Sequence, residues 1–215
     1  MIYKIMESIE SKYKNLCYIR SDINEHLPTL YKYAKQCNSV FETGVRGVVS
    51  SWALLFGLLA NNTTETKKFL MNDIENCDVA EITNAAKGLN IDISFQVENN
   101  LLMEFDQNYD LTFIDTYHVY PQLIRELNKF SQVTNKYIIM HDTTIDEYYG
   151  EVIRSCNGYN YNVVQEHSQK TGYTPEDLVK GLRPAIEEFL LNNPNWQIKE
   201  VFTNNNGLTV LEKKI

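Results

Sequence analysis

The sequence predicts an α/β protein with a mostly parallel seven-stranded sheet, helices on both faces and an antiparallel hairpin at the end. Short apolar strand-like runs alternate with helical runs, which is typical of parallel α/β sheets. The first strand leads through a glycine-containing turn into a helix. The last two strands are joined by Asn-Asn-Asn-Gly at 204–207, a connection that favours a hairpin and therefore an antiparallel pair.

The individual elements follow this alternation along the chain. Seven segments are predicted strands: 40–41, 67–72, 91–97, 109–115, 136–140, 196–202 and 208–211. Helices are expected in 1–38, from Ser50 onward, at 78–89 and 121–130, and within 175–191. We expect residues 1–38 to form an N-terminal helical cap and residues 39–215 to form one ligand-binding domain.

The turn after the first strand indicates the kind of ligand. An apolar strand runs into Glu42, a turn with Gly44 and Gly47 follows, and a helix begins near Ser50. Glycine lets a backbone pass close to a ligand, but a dinucleotide loop needs the third glycine of G-x-G-x-x-G. A carboxylate at position 42 would repel a phosphate, and it suits a cationic or amine-bearing ligand such as S-adenosylmethionine.

Composition excludes several classes of partner. The 215 residues carry a net charge of −8, which argues against a nucleic-acid backbone as partner. The four cysteines form no C-x-x-C pair, so neither a zinc knuckle nor a redox pair is indicated. The longest apolar run, 52–60, is too short to cross a bilayer, and the first residues lack the pattern of a signal peptide. We therefore expect a soluble cytoplasmic protein that binds neither nucleic acid nor membranes.

Polar residues mark the carboxyl ends of the predicted parallel strands, where ligands bind in open α/β sheets. Each of them could also be a helix cap or an ordinary loop residue, but a whole row at one edge favours a site. The row consists of Glu42, Asp73, Glu98 or Asn99, Asp115, and the pair His141-Asp142.

Two of these positions have a direct chemical use. Asp73 can accept hydrogen bonds from both hydroxyls of a ribose. Asp115, His141 and Asp142 follow neighbouring strands, so they can bind a divalent cation, or one of them can act as a general base. His118 is within reach of the same pocket. Histidine followed by His-Asp also occurs in helical metal phosphohydrolases, but here His141 follows a predicted strand, which argues against that class.

Six segments together resemble the class I S-adenosylmethionine-dependent methyltransferases of the methyltransferase 24 or cephalosporin-hydroxylase-like group, many of which are encoded near glycan genes. They run in order from about residue 20 to the C-terminus. They are SDINEHLPTL (21–30), FETGVRG (41–47), FIDTYH (113–118), IIMHDT (138–143), GLRPAIEEF (181–189) and NNGLTV (205–210).

The resemblance implies a Rossmann-like fold and a role for each matching residue. Asp73 would take the ribose of S-adenosylmethionine, and Asp115 and His118 would face the transferred methyl group. Related enzymes hold Mg²⁺ with an acid after strand 4 and two acids after strand 5, which implies Asp115, His141 and Asp142 here. His141 departs from that pattern, since histidine is a poorer ligand for Mg²⁺. The other implied cofactor contacts are Glu42, Gly44, Arg46, Gly47, Ser50, Glu98, Asn99 and Asp115.

The predicted reaction is methyl transfer to a hydroxyl of a sugar or sugar-nucleotide. His141 is the first candidate for the base because an imidazole titrates near neutrality, and Asp115 is the second. Asp142 or Asp115 would orient His141. A phenol or amine acceptor, an NAD-dependent oxidoreductase and a non-catalytic binding protein are the alternatives, and a homodimer is a further expectation. The missing third glycine and the final hairpin argue against the oxidoreductase.

Overall fold

A seven-stranded sheet forms the centre of the molecule, which a computed structural model describes over residues 2–214. The strand order is β3-β2-β1-β4-β5-β7-β6; β1 to β5 pair in parallel and β7 is antiparallel to both β5 and β6. The predicted fold class and final hairpin are therefore confirmed. The strands are β1 (Ser39–Thr43), β2 (Lys67–Asp73), β3 (Ile91–Val97), β4 (Tyr109–Ile114), β5 (Thr134–His141), β6 (Trp196–Phe202) and β7 (Leu208–Lys213).

Helices cover both faces of the sheet. On one face α1 to α4 pack over side chains such as Phe69 and Phe113, and on the other α5 and α9 pack over Phe41 and Met140. Successive strand residues point to opposite faces, so each strand contributes to both apolar cores. The helices are α1 (Ile2–Tyr18), α2 (Leu27–Ala34), α3 (Val49–Leu59), α4 (Ala80–Ala86), α5 (Tyr120–Phe130), α6 (Glu151–Ser155), α7 (Tyr161–Thr171), α8 (Pro175–Leu178) and α9 (Leu182–Asn192).

The segment between β5 and α9 is more helical than the sequence pattern indicates. Residues 146–173 contain all of α6 and α7, although no helix is predicted there. The reason is that α7 buries only Val164 among its eleven residues, so it carries almost no apolar periodicity. Asn160 caps it by accepting a hydrogen bond from the Val163 amide.

The hairpin turn is attached to the loop that follows β5. Asn205, Asn206 and Gly207 have φ of 44°, 70° and 98°, and asparagine and glycine tolerate this left-handed region best. The carbonyl of Asn206 accepts hydrogen bonds from the amides of Thr144 and Ile145, both at 2.9 Å. The turn thus supports the backbone just beyond the His141-Asp142 pair.

Within residues 2–214, no helix has both the length and the apolar character needed to cross a membrane.

Candidate functional site

The glycine turn brings the ends of β1, β2 and β4 together. The amide of Gly44 donates to the carbonyl of Asn72, and the amide of Asp115 donates to the carbonyl of Thr43. Gly44 has a φ of 90°, and a Cβ there would lie 1.9 Å from the carbonyl oxygen of Asp115. Only glycine therefore allows the turn to lie this close to β4.

Asp73 organises the turn from the end of β2. Its Oδ2 accepts a hydrogen bond from the backbone amide of Arg46 at 2.9 Å, and its Oδ1 accepts one from the backbone amide of Glu75 at 3.0 Å. The Arg46 side chain is exposed and forms an ion pair with Asp22, just after α1. Asp73 therefore lies at the strand edge beside the turn, and Asp22 places a second acid near the same turn.

Glu42 is fully buried at the end of β1. One carboxylate oxygen accepts a hydrogen bond from the Ser50 hydroxyl, and the other has no partner. Burial raises the pKa of Glu42 to about 7, with the hydroxyls of Ser50 and Ser51 acting in the opposite direction. Gly47 lies in the exposed part of the turn, before α3.

The residues after β3 divide between surface and interior. The side chains of Glu98 and Asn99 are exposed, and the Glu98 backbone pairs with Asp73 and with the Asn72 side chain. The neighbouring Asn100 is buried, and it donates to the Thr43 hydroxyl at 3.0 Å and to Glu126 at 2.6 Å. Sequence reasoning missed Asn100, because the sequence does not indicate which of the two adjacent asparagines, Asn99 or Asn100, is buried.

Four side chains at the carboxyl ends of β4 and β5 form a closed ring in which carboxylates and imidazoles alternate. His118 Nε2 lies 3.2 Å from Asp115 Oδ1, and His118 Nδ1 lies 3.1 Å from Asp142 Oδ2. His141 Nδ1 lies 3.3 Å from Asp142 Oδ1 and 3.5 Å from Asp115 Oδ1. The structure thus brings together all four residues that the sequence suggested for chemistry.

Accessibility separates the two imidazoles of the ring. His141 is 1% exposed, and its Nε2 faces the carbonyl of Asn205 at 3.3 Å. His26, just before α2, is equally buried, stacks edge-on against His141 and binds the same hairpin turn. The side chains of His118 and Asp115 are 13% and 21% exposed, so these two can contact a substrate directly.

The ring shifts the ionisation of its members. Burial favours the neutral form of Asp115, but its contacts with His118 and His141 outweigh burial and hold its pKa below the usual range. Burial would lower the pKa of His118, but the carboxylates of Asp115 and Glu151 raise it well above 6.5. The pKa of Asp142 is raised, mainly by burial. Carboxylate and imidazolium thus stabilise each other here.

Sequence reasoning did not identify two acids that lie beside His118, Glu151 and Asp146. Glu151, at the start of α6, lies 2.9 Å from His118 Nδ1 and accepts the His118 backbone amide at 3.1 Å. Asp146 is fully buried, 3.5 Å from the same nitrogen, and binds Arg154 through two hydrogen bonds of 2.8 Å. No sequence motif marks these positions, because α6 brings Glu151 to the strand edge and the loop after β5 brings Asp146 there.

A buried polar network lies behind the ring, centred on Glu126 of α5. One oxygen of this fully buried carboxylate accepts from Asn100, from Thr116 at 2.7 Å and from Gln122 at 2.7 Å. Gln122 in turn accepts the Tyr173 hydroxyl at 2.6 Å. The network thus joins the loops after β3 and β4 to the segment beyond α7.

No protein-family model and no curated protein sequence matches the chain. Solved structures do match it. An O-methyltransferase from Bacillus cereus in complex with S-adenosylhomocysteine is 14% identical, with a TM-score of 0.56 over 98% of this chain and 91% of that one. The chain has the class I methyltransferase fold.

Two further class I methyltransferase structures show the same likeness. A methyltransferase from Podospora anserina bound to S-adenosylhomocysteine is 13% identical and has a TM-score of 0.54, covering 100% of this chain and 88% of that one. An O-methyltransferase from Streptomyces achromogenes involved in tomaymycin synthesis was solved in complex with S-adenosylmethionine. It is 10% identical and has a TM-score of 0.56, covering 98% of this chain and 90% of that one.

The class I methyltransferase fold also explains where the site lies. The strand order of the sheet reverses between β1 and β4, and such a switch point opens a crevice at the carboxyl ends of the strands. Gly44 and Asp115 face each other there. The turn after β1 and the ring of acids and imidazoles therefore lie at the position where this fold offers a ligand site.

Proposed function

We propose that the protein transfers the methyl group of S-adenosylmethionine to a hydroxyl of a carbohydrate acceptor. The observation that carries the proposal is the meeting of the Gly44 turn with Asp115 at the switch point of a class I methyltransferase fold. Asp73 would bind the ribose, and Glu42 would face the amine-bearing end of the cofactor. The same amine-bearing end would also contact Arg46, Gly47 and Ser50. The adenine would lie beside Glu98 and Asn99.

In the proposed reaction, the acceptor oxygen attacks the methyl carbon as the carbon–sulfur bond breaks. The products are a methyl ether and S-adenosylhomocysteine, and the hydroxyl proton goes to the protein. We place that proton on His118, which is partly exposed and lies between Asp115 and Glu151. Because these carboxylates raise the pKa of His118, its neutral form becomes available only as pH rises, and the rate of transfer should increase with pH. His141 is less suitable as the direct acceptor because its ring is buried behind Asp115.

Mg²⁺, which the family resemblance implies, fits the donor set only in part. Mg²⁺ prefers oxygen ligands and keeps several waters. Two carboxylates of the ring satisfy this preference, but the buried imidazole of His141 faces the space between them, 3.5 Å from Asp115 and 3.3 Å from Asp142. The proposed reaction therefore does not rely on Mg²⁺.

A phenolic acceptor is the second candidate. A cavity of about 400 Å³ lies beside the start of α6 and is lined by Tyr148, Tyr149, Tyr159, Ile153, Val179 and Lys180. An aromatic, mostly apolar lining suits an aryl group. The same tyrosines can stack on a sugar ring, so the cavity favours neither acceptor alone.

The test is methyl transfer from radiolabelled S-adenosylmethionine to separate panels of glycosides, sugar-nucleotides, phenols and amines. We expect label in the glycosides or sugar-nucleotides, and His118→Gln should reduce that incorporation at least about 100-fold. The matched control is His167→Gln, on α7 and outside the ring, which should keep activity. Label in phenols alone would support the second candidate, and label in no panel despite cofactor binding would contradict catalysis of this kind.

The homodimer and the separate N-terminal cap of residues 1–38 remain predictions.

A further inference from the structure

Exposed tyrosines concentrate around the cavity beside α6. Within residues 2–214, six tyrosines have at least 60% of their surface exposed, and four of these lie in the short stretch 148–161. Single exposed apolar side chains are ordinary, but a contiguous group of large ones usually marks a binding surface. Three of the four line the cavity of about 400 Å³, which we call the tyrosine cavity. Its wall consists of Tyr148, Tyr149, Ile153, Tyr159, Val179 and Lys180.

The wall of the tyrosine cavity is held against the segment that carries His118. The backbone amide of Glu151 donates to the His118 carbonyl at 2.9 Å, and the amide of Tyr120 donates to the Lys180 carbonyl at 3.0 Å. Tyr149 and Lys180 in turn form an antiparallel bridge with each other. The tyrosine cavity is therefore next to the proposed site of reaction.

The tyrosine cavity is nevertheless separate from the site of reaction. Within residues 2–214, its wall includes no member of the ring formed by Asp115, His118, His141 and Asp142. Glu151, which lies 2.9 Å from His118 Nδ1, stands in the chain between cavity residues 149 and 153. A group that fills the cavity is thus not the group whose hydroxyl faces His118. An acceptor that occupies both positions needs at least two connected rings.

The charges around the tyrosine cavity disfavour an anionic group. Residues 146–183 hold four basic side chains, and each of them is already paired with an acid. Phosphate recognition relies on arginine and lysine donors, whereas the same segment holds six acids, which would repel a pyrophosphate. The ion pairs are Arg154–Asp146, Lys170–Glu166, Lys180–Asp177 and Arg183–Glu147.

We propose that the tyrosine cavity binds a second, uncharged ring of the acceptor, so that the acceptor is a phosphate-free glycoside of at least two rings rather than a sugar-nucleotide. The reacting sugar lies over His118, as in the proposed function on which this inference rests. The next ring, a second sugar or an aryl group, packs against the tyrosines. A volume of about 400 Å³ is within the usual range for small-molecule pockets.

The experiment measures binding of glycosides to the full chain by calorimetry, in the presence of excess S-adenosylhomocysteine. The probes are the methyl glycosides, phenyl glycosides and UDP derivatives of glucose, galactose and N-acetylglucosamine. For the sugar that binds most tightly, the phenyl glycoside should bind at least about tenfold more tightly than the methyl glycoside, because only its second ring enters the cavity. The UDP derivative should bind at least about tenfold more weakly than the phenyl glycoside.

Three results of this titration would overturn the inference. They are equal affinity for methyl and phenyl glycosides, tightest binding of the UDP derivative, and binding of no glycoside at all.

The Tyr159→Ala variant tests the tyrosine cavity itself. It should weaken binding of the phenyl glycoside at least about fivefold and leave binding of the methyl glycoside unchanged, because it removes part of the cavity wall. Tyr18→Ala, at an exposed position at the end of α1, is the matched control and should bind like the wild type. Unchanged affinity of Tyr159→Ala for the phenyl glycoside, or equal loss for both glycosides, would overturn the inference.

The Asp177→Asn variant tests the role of charge. It releases Lys180, in the cavity wall, from an ion pair of 2.7 Å. Binding of the UDP derivative should therefore improve at least about threefold, with binding of the phenyl glycoside unchanged. Glu166→Gln, which releases Lys170 on α7, is the control and should leave both affinities unchanged. No improvement in Asp177→Asn would contradict the exclusion of phosphate by ion pairing.

Binding of S-adenosylhomocysteine and methyl transfer are measured on the same samples. A preference for phenyl glycosides without S-adenosylhomocysteine binding would support the tyrosine cavity and contradict the proposed function. Methyl transfer to glycosides without that preference would support the proposed function and overturn the inference. The two failures are therefore distinguishable.

Discussion

Gly44 lies against the backbone of Asp115, so closely that a Cβ on Gly44 would be 1.9 Å from the Asp115 carbonyl oxygen. The contact joins the turn after β1 to the start of the acid–imidazole ring. It therefore couples the proposed cofactor site to the proposed site of reaction.

Gly44→Ala should destabilise the fold and weaken binding of S-adenosylhomocysteine. A positive φ costs an alanine about 1–2 kcal/mol, and the overlap with Asp115 adds about 1–3 kcal/mol. Gly172→Ala is the matched control, because its φ of 75° is also positive but a Cβ there would meet nothing within 4 Å. Urea unfolding and calorimetry measure both effects. Equal behaviour of the two variants would show that the close approach is unimportant.

Asp73→Asn should weaken S-adenosylhomocysteine binding about 10- to 100-fold. The carboxylate would accept the ribose hydroxyls, and hydrogen bonds to a charged acceptor contribute about 1.5–3 kcal/mol. Calorimetric titration gives the affinity directly. Glu75→Gln, at an exposed position two residues later, is the control and should bind normally. Wild-type affinity in Asp73→Asn would remove Asp73 from the cofactor site.

Glu42 should make the stability of the protein depend on pH. Its pKa is about 7 in the folded protein, above the usual value of 4.5, so the folded state keeps a proton that the unfolded state has lost between these values. The free energy of unfolding therefore decreases as pH rises through this window, by roughly 3 kcal/mol at most.

The Glu42→Gln variant tests this pH dependence. It should show a flatter profile than the wild type in urea unfolding between pH 5 and pH 8, because glutamine does not titrate. Glu98→Gln, at an exposed position, should keep the wild-type profile. Parallel profiles for Glu42→Gln and the wild type would mean that Glu42 ionises normally when folded.

Glu126→Ala should destabilise the protein by about 2–4 kcal/mol. The substitution leaves the donors of Asn100, Thr116 and Gln122 without their shared acceptor in a buried site. Glu188→Ala, on the surface of α9, should change the free energy of unfolding by at most about 0.5 kcal/mol. Denaturant unfolding compares the two. A similar small decrease in the free energy of unfolding for both variants would show that water replaces the Glu126 carboxylate.

The sheet was predictable because the residue patterns that specify it lie within single strands and turns. Strands β1, β2, β4 and β5 each combine an apolar run with a polar residue at or just after their carboxyl end, as in β4 and Asp115. The Asn-Gly turn determines the direction of β7 relative to β6. The same reasoning identified all four members of the acid–imidazole ring, since parallel strands end at one edge. Periodicity fails for α7, where Val164 alone is buried.

The surroundings of the ring were not predictable from local pattern. Glu126, Glu151 and Asp146 reach it through the packing of α5, α6 and the loop after β5, and no spacing in the sequence records those contacts. The burial of His141 is also a tertiary effect, because His26 from the N-terminal segment and Asn205 from the hairpin cover its ring. These contacts bury the ring of His141, which is why the proposed base is His118.

The most direct test of the central claim is calorimetric titration of the folded protein with S-adenosylhomocysteine, with NAD⁺ as the comparison ligand. The proposed function predicts one S-adenosylhomocysteine per chain with micromolar affinity and no detectable NAD⁺ binding. Absence of S-adenosylhomocysteine binding, in protein shown to be folded by circular dichroism, would contradict the assignment as a methyltransferase.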